Sequence, residues 1–143
     1  MPKISFFEED IRYNLKDKIK VKQWIKDTVA NEGYKLDELT YIFCSDSYLL
    51  QINQQYLNHD TYTDIITFDN SSEERVITGD IFISIERIRE NAANFNQSVT
   101  NELHRVIIHG TLHLLGYKDK TAADSKNMTQ MEDKYLDKRA FNS

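Results

Sequence analysis

The stretch that constrains this structure most is VIIHGTLHLLGYKD at residues 106–119. Its apolar residues recur at helical spacing, and its two histidines, His109 and His113, are four residues apart. On an α-helix, residues at that spacing differ by about 40° around the axis and about 6 Å along it, so both imidazoles can reach one ion. The pattern predicts a helix over about 99–115 that carries a pair of metal ligands.

A third ligand comes from the residues that follow this helix. A straight helix would place Asp119 about 240° around the axis from His113, too far to share an ion. Gly116 can adopt the left-handed conformation that ends a helix, so the chain can stop near Leu115 and fold back. We therefore predict one metal site formed by His109, His113 and Asp119.

The donor set of this site indicates its chemistry. Two imidazoles and one carboxylate suit Zn²⁺ and leave a fourth position for water, as in catalytic zinc sites. Such a water ionises near neutral pH, and the ion neutralises charge on a phosphoryl oxygen, so hydrolysis is the predicted reaction. Ni²⁺, Mn²⁺ and Fe²⁺ accept the same ligands, so the ligands alone do not name the metal. The alternative interpretation is that both histidines are ordinary core or surface residues.

The composition is that of an ordinary soluble protein. With 143 residues, 40% hydrophobic and 29% charged, the chain is expected to form one domain over residues 1–143. No apolar run approaches the roughly 18 residues of a membrane span, and the N-terminus lacks the apolar region of a secretory signal. Cys44 is the only cysteine, so neither a disulfide nor a cysteine zinc site can form within the chain. We expect a cytoplasmic protein without membrane association.

Strands and helices alternate through the rest of the chain. Strands are predicted at 3–7, 39–44, 63–68 and 76–84, the last two as an antiparallel hairpin. Helices are predicted at 17–32, 46–57, 84–97, 99–115 and 121–138. This order predicts an α+β fold in which about five helices, including a zincin-like metal helix, pack on a mixed sheet of about four strands.

At these residues the chain resembles the YbeY family of bacterial single-strand-specific endoribonucleases, which act in ribosomal RNA maturation. The family signature HGxLHLxGYDH is matched from His109 to Tyr117, and a second block, TDVLSF followed by GDI, is matched at 63–68 and 79–81. The resemblance spans about residues 40–135. It implies a metal-dependent endoribonuclease whose partners are single-stranded ribosomal RNA and the small ribosomal subunit.

Two positions depart from the family pattern. Asp119 stands where the family has a third histidine ligand, which makes the predicted site more anionic. Leu57 stands where the family commonly has an arginine for RNA phosphate. Arg75 and Arg105 could substitute for it, and the sequence does not choose between them.

Further residues could support the metal ligands. Carboxylates that could bond the second ring nitrogen of a ligand histidine are Asp64, Asp80 and Glu132. We favour Asp80, because a charge inside an apolar strand is costly unless it faces a site, although a strand edge facing water explains it equally well. His104 points about 140° away from His109 and is predicted to be structural, whereas the role of His59 stays undecided.

Two other functions fit the same residues. A metallopeptidase with the pattern HExxH would need a glutamate as general base where this chain has Gly110. A ribosome-associated RNA-binding factor with a structural metal is the second alternative. Leu57 in place of the arginine makes this alternative less remote for this chain than for a typical family member. The leading prediction is a metal-dependent endoribonuclease, with no catalytic side chain assigned beyond the residues named above.

Overall fold

The computed structural model describes residues 2–56 and 63–139. The strands within these residues are β1 (Lys3–Glu8), β2 (Lys35–Cys44), β3 (Ile65–Asp69) and β4 (Val76–Ser84). The helices are α1 (Lys18–Asn31), α2 (Asp46–Tyr56), α3 (Ile85–Asn94), α4 (Val99–Leu114) and α5 (Ala122–Asp137). The predicted α+β fold class is confirmed.

The four strands form one mixed sheet in the order β1-β2-β4-β3. β1 and β4 both pair with β2 in parallel, and β3 pairs with β4 antiparallel, as the predicted hairpin requires. Side chains along a strand alternate between the two faces of a sheet. Ile81 of β4 therefore points toward α4, whereas Phe82 points toward α2.

Strand β2 begins four residues earlier than the sequence pattern predicted. Its register against β4 shifts between Leu36 and Glu38, which marks a bulge. The bulge allows both Leu36 and Leu39 to be buried although they are three residues apart. This spacing breaks the alternation of apolar and polar residues, so the first half of the strand was not predicted.

Two cores lie on opposite faces of the sheet. The larger core fills the space between the sheet and helices α1, α3, α4 and α5. The smaller core, under α2, contains the buried residues Cys44, Leu49, Ile52 and Ile66. None of the helices in the described part of the chain is both long and apolar enough to cross a membrane.

Helix α4 is the element that positions the site, and it is buried on most of its circumference. It begins at Ser98, whose hydroxyl oxygen accepts a hydrogen bond from the Asn101 backbone N–H at 3.0 Å. Two glycines allow it to approach the sheet closely. A Cβ on Gly110 would lie 2.6 Å from Ile65 Cδ1, and a Cβ on Gly79 would lie 2.8 Å from a Leu114 methyl carbon.

Candidate metal centre

The metal helix ends where the sequence predicted. Past Leu114 the chain turns at Gly116, whose φ is +102°. The Tyr117 backbone N–H donates to the Leu112 carbonyl at 3.1 Å, and the Gly116 N–H donates to the His113 carbonyl at 3.0 Å. These two bonds form a Schellman motif, which satisfies the last carbonyls of the helix. The turn sends residues 117–120 back toward the histidines.

The turn brings the three predicted ligands together. His109 Nε2 lies 3.8 Å from Asp119 Oδ2, and the His109 and His113 ring centroids are 4.9 Å apart. One ligand atom from each of the three side chains lies within 4.8 Å of the other two. Donors bound tetrahedrally to Zn²⁺ at about 2.1 Å are about 3.4 Å apart, so small rotations of these side chains would fit them to an ion.

A carboxylate behind the site fixes the orientation of His109. His109 Nδ1 lies 2.6 Å from Glu132 Oε2, so this nitrogen carries the hydrogen and donates it. The other ring nitrogen, Nε2, is left facing Asp119 with its lone pair available for an ion. Glu132 Oε1 accepts a second bond from Arg105 at 2.8 Å. Glu132, one of the three carboxylates predicted for this role, therefore makes the contact with His109 that the role requires.

The two histidines have different electrostatic surroundings. Burial lowers the pKa of His109, but the hydrogen bond and charge of Glu132, with smaller contributions from Asp64 and Asp119, raise it overall. Burial lowers the pKa of His113, and the nearby His109 lowers it further. His113 is thus held in the neutral form that a metal ion needs.

The three candidate ligands lie in a cleft that opens to solvent. Its volume is about 540 Å³, which is within the range of small-molecule sites. One wall comes from the start of β3, where Asp64 lines the cleft, and the other wall comes from residues 116–120. Lys118 and Lys120 are exposed on its rim.

A smaller acidic cavity lies behind His109. Asp64, Glu102, Arg105 and Glu132 contribute to its lining. Glu102 is only 5% exposed, and burial raises its pKa, as it does that of Asp64. Glu102 was not predicted from the sequence. Its position seven residues before His109, two turns away on the same helix face, is the signal that could have found it.

The structure places Asp80 away from the three candidate ligands, so our preference for it as an outer carboxylate was wrong. Asp80 Oδ2 accepts a hydrogen bond from Asn70 Nδ2 at 3.2 Å and lies among Tyr48, Phe68 and Phe82 on the α2 side of the sheet. The reason is strand alternation. Because Ile81 packs under α4, its neighbour Asp80 must face the other way.

Three other residues singled out by the sequence, His104, Arg105 and Arg75, contact groups other than the three candidate ligands. His104 is buried 5.6 Å from Trp24, and Arg139 Nη1 lies 2.8 Å from its Nδ1, which fits the structural role predicted for it. Arg105 binds Glu132 and Asp133. The Arg75 guanidinium lies 5.0 Å from the ring centre of Tyr34. Leu57 and His59 lie outside the described residues.

The chain is similar to known proteins over almost its whole length. The model of the family Endoribonuclease YbeY matches residues 4–140. Similar relatives named Endoribonuclease YbeY include those of Cytophaga hutchinsonii, 51% identical over 96% of each chain, and Flavobacterium psychrophilum, 48% identical over 91% of this chain and 92% of the relative. The solution structure of TM1509 from Thermotoga maritima superposes with a TM-score of 0.64 at 29% identity, covering 94% of this chain and 87% of that one.

Proposed function

This chain belongs to the YbeY endoribonuclease family, and on that premise we propose that it is a metal-dependent endoribonuclease that cleaves single-stranded RNA during ribosomal RNA processing. The observation that carries this function is the convergence of His109, His113 and Asp119 in an open cleft. Three protein ligands leave a coordination position free, which a hydrolase needs and a structural zinc site lacks.

The metal in this proposal is Zn²⁺, one ion per chain, held by His109, His113 and Asp119. Imidazole nitrogen and carboxylate oxygen are ligands that zinc accepts at tetrahedral geometry. Ni²⁺, Mn²⁺ and Fe²⁺ are the competing ions, because the same donor set suits them. When bound, a divalent ion supplies a Lewis acid that activates water and neutralises charge on the phosphodiester.

Residues around the three ligands orient His109, exchange protons and bind RNA in this proposal. Glu132 holds His109 in one tautomer and orientation through the 2.6 Å hydrogen bond to Nδ1. Asp64 lines the cleft beside both histidines, where its carboxyl can exchange a proton with a reacting water or leaving group. We assign the binding of RNA phosphate groups to Lys118 and Lys120. In the described part of the chain, these are the basic side chains that line the cleft. Arg105 is unsuited, because two carboxylates already occupy its guanidinium.

The cellular setting is part of the same proposal. We place the activity in the cytoplasm, on ribosomal RNA of the small subunit, with residues 1–143 acting as one domain. The support is the family to which the chain belongs, together with the single free cysteine, Cys44, which is buried and fits a reducing compartment.

The two rival functions are less well supported. A metallopeptidase needs a general base next to the first histidine, and that position is Gly110, which packs against Ile65 and Ile81 of the sheet. An RNA-binding factor with a purely structural metal would be expected to close the coordination shell with a fourth protein ligand. Among the described residues the cluster of ligand atoms contains three side chains.

The experiment that tests the function compares the wild type with His113→Ala. We expect the purified wild type to carry about one zinc ion per chain and to cleave unstructured RNA while sparing duplex RNA. His113→Ala should lose both the metal and the cleavage, and a strong chelator should abolish wild-type cleavage. His104→Gln, a change to another histidine of α4, is the matched control and should keep both. Equal metal in wild type and His113→Ala, or cleavage that survives the chelator, would refute the proposal.

A further inference from the structure

One carboxylate joins three separate parts of the chain close to the metal centre. Glu32 is the first residue after α1. The Tyr117 hydroxyl donates a hydrogen bond to Glu32 Oε1 at 2.6 Å, and the Tyr135 hydroxyl of α5 donates to Glu32 Oε2. Asn31 Nδ2 in turn donates to the Tyr135 hydroxyl oxygen at 2.9 Å. The end of α1, the loop after α4 and helix α5 therefore meet at Glu32.

Tyr117 lies in the part of the loop that sets the position of Asp119. Its backbone N–H closes the turn at Gly116 by bonding to the Leu112 carbonyl. Asp119 follows two residues later, and its side chain is 36% exposed, so burial restrains it little. The side-chain bond from Tyr117 to Glu32 is thus a tether just before the one ligand that does not come from the helix.

We propose that Glu32 is a positioning residue of the metal centre, because by holding the Tyr117 hydroxyl it fixes the loop that presents Asp119 to His109 and His113. This inference rests on the proposed function, since it needs the metal site to exist. A loop that is already ordered loses less conformational entropy when an ion binds, so the tether strengthens binding without touching the ion. Tyr135 binds the same carboxylate from α5, which supplies none of the three ligands, so its bond joins α1 to α5 and does not restrain the loop.

The matched pair of variants is Tyr117→Phe and Tyr135→Phe, since each removes one hydroxyl from the same carboxylate and keeps the ring. Zinc affinity is measured by competition with a chromophoric chelator. The visible spectrum of the Co²⁺-loaded protein reports the geometry of the ligands independently of activity. Thermal unfolding of the metal-free proteins reports stability.

We expect Tyr117→Phe to weaken zinc binding by about 10-fold to 100-fold, the range for residues that orient a ligand, and to alter the Co²⁺ spectrum. Tyr135→Phe should lower the stability of the metal-free protein and leave zinc affinity and the Co²⁺ spectrum unchanged. Glu32→Ala should weaken zinc binding as Tyr117→Phe does. Glu32→Gln should restore part of the affinity, because its amide oxygen can still accept the Tyr117 hydroxyl.

Two results would overturn the inference while the metal site stands. Tyr117→Phe could bind zinc as tightly as the wild type, or Tyr135→Phe could weaken binding equally, which would make the effect one of general stability. The proposed function fails differently, because in that case the wild type itself takes up no zinc or His113→Ala takes up as much as the wild type.

Discussion

Glu132 shows how a single side chain serves two partners. One carboxylate oxygen holds His109 and the other holds Arg105, and the side chain is 9% exposed. A glutamine in its place has one acceptor oxygen instead of two and no charge. It could therefore satisfy His109 or Arg105 but not both.

We expect Glu132→Gln to weaken zinc binding by about 10-fold to 100-fold, because His109 loses the group that fixes its tautomer and strengthens it as a ligand. Titration calorimetry with Zn²⁺ would measure the effect. The matched control is Asp133→Asn, which removes the charge of the other, largely exposed partner of Arg105 and should leave zinc affinity unchanged. If both variants bind zinc equally well, the role assigned to Glu132 is wrong.

The individual site residues differ in how well they could be predicted from the sequence. The proximity of His109, His113 and Asp119 could be predicted because one helix and one glycine stop bring them together, and both are local patterns. Glu132 could be predicted as one of three candidate carboxylates, but the sequence could not single it out. Its contact with His109 spans 23 positions and depends on how α5 packs. The contact between Glu32 and Tyr117 spans 85 positions, and no local pattern marks it.

Helix α4 crosses the sheet at close range, and glycine is required on both sides of that contact. A Cβ on Gly79 would lie 2.8 Å from the Phe68 carbonyl oxygen, a backbone atom fixed in the β3–β4 ladder. A Cβ on Gly110 would lie 2.6 Å from the end of the flexible Ile65 side chain and 3.1 Å from Ile81. The first clash is therefore harder to relieve than the second.

Overpacking typically lowers the free energy of unfolding by roughly 1–3 kcal/mol. We expect Gly79→Ala to fall at the upper end of this range and Gly110→Ala at the lower end. At Gly110 the roughly 1 kcal/mol gain in helix propensity offsets part of the clash. Urea unfolding of the two variants and the wild type measures both free energies. A Gly110→Ala variant as destabilised as Gly79→Ala would contradict this ranking.

Element boundaries could be predicted from the sequence wherever periodicity or capping is regular. Helix α5 begins as expected because Thr121 and Asp124 form a capping box, and α4 ends at its Gly116 motif. The early part of β2 could not be predicted, since its bulge shifts the alternation, and Asp80 was assigned to the wrong face because the sequence alone does not say which face of a central strand meets α4.

For the molecule as a whole, the buried His104 makes stability depend on pH. Burial, followed by the charge of Arg139, lowers its pKa from 6.5 to about 4. As the pH falls below 6.5, the unfolded chain takes up a proton that the folded chain excludes. The free energy of unfolding therefore decreases between about pH 6.5 and pH 4, by at most about 1.4 kcal/mol for each pH unit.

We expect His104→Gln to lose this part of the pH dependence. Urea unfolding of both proteins is measured from neutral pH down to about pH 5. The free energy of unfolding of the wild type, relative to that of the variant, should decrease as the pH falls. Burial raises the pKa values of Asp64 and Glu102, so these two groups increase the free energy of unfolding as the pH falls. Because both proteins contain them, their effect cancels in the difference. A difference that stays constant with pH would show that His104 is not the titrating group.

The confinement of all three proposed ligands to residues 109–119 has a consequence for the unfolded chain as well. A segment this short closes around an ion at small entropic cost even when the rest of the chain is unfolded. Metal bound by the unfolded chain reduces the stabilisation that binding gives to the folded chain. Zinc should therefore raise the unfolding temperature by less than its affinity for the native protein implies. The gain that remains reports what the folded structure adds to the site, including the bond from His109 to Glu132 and the bond from Tyr117 to Glu32, which form only on folding.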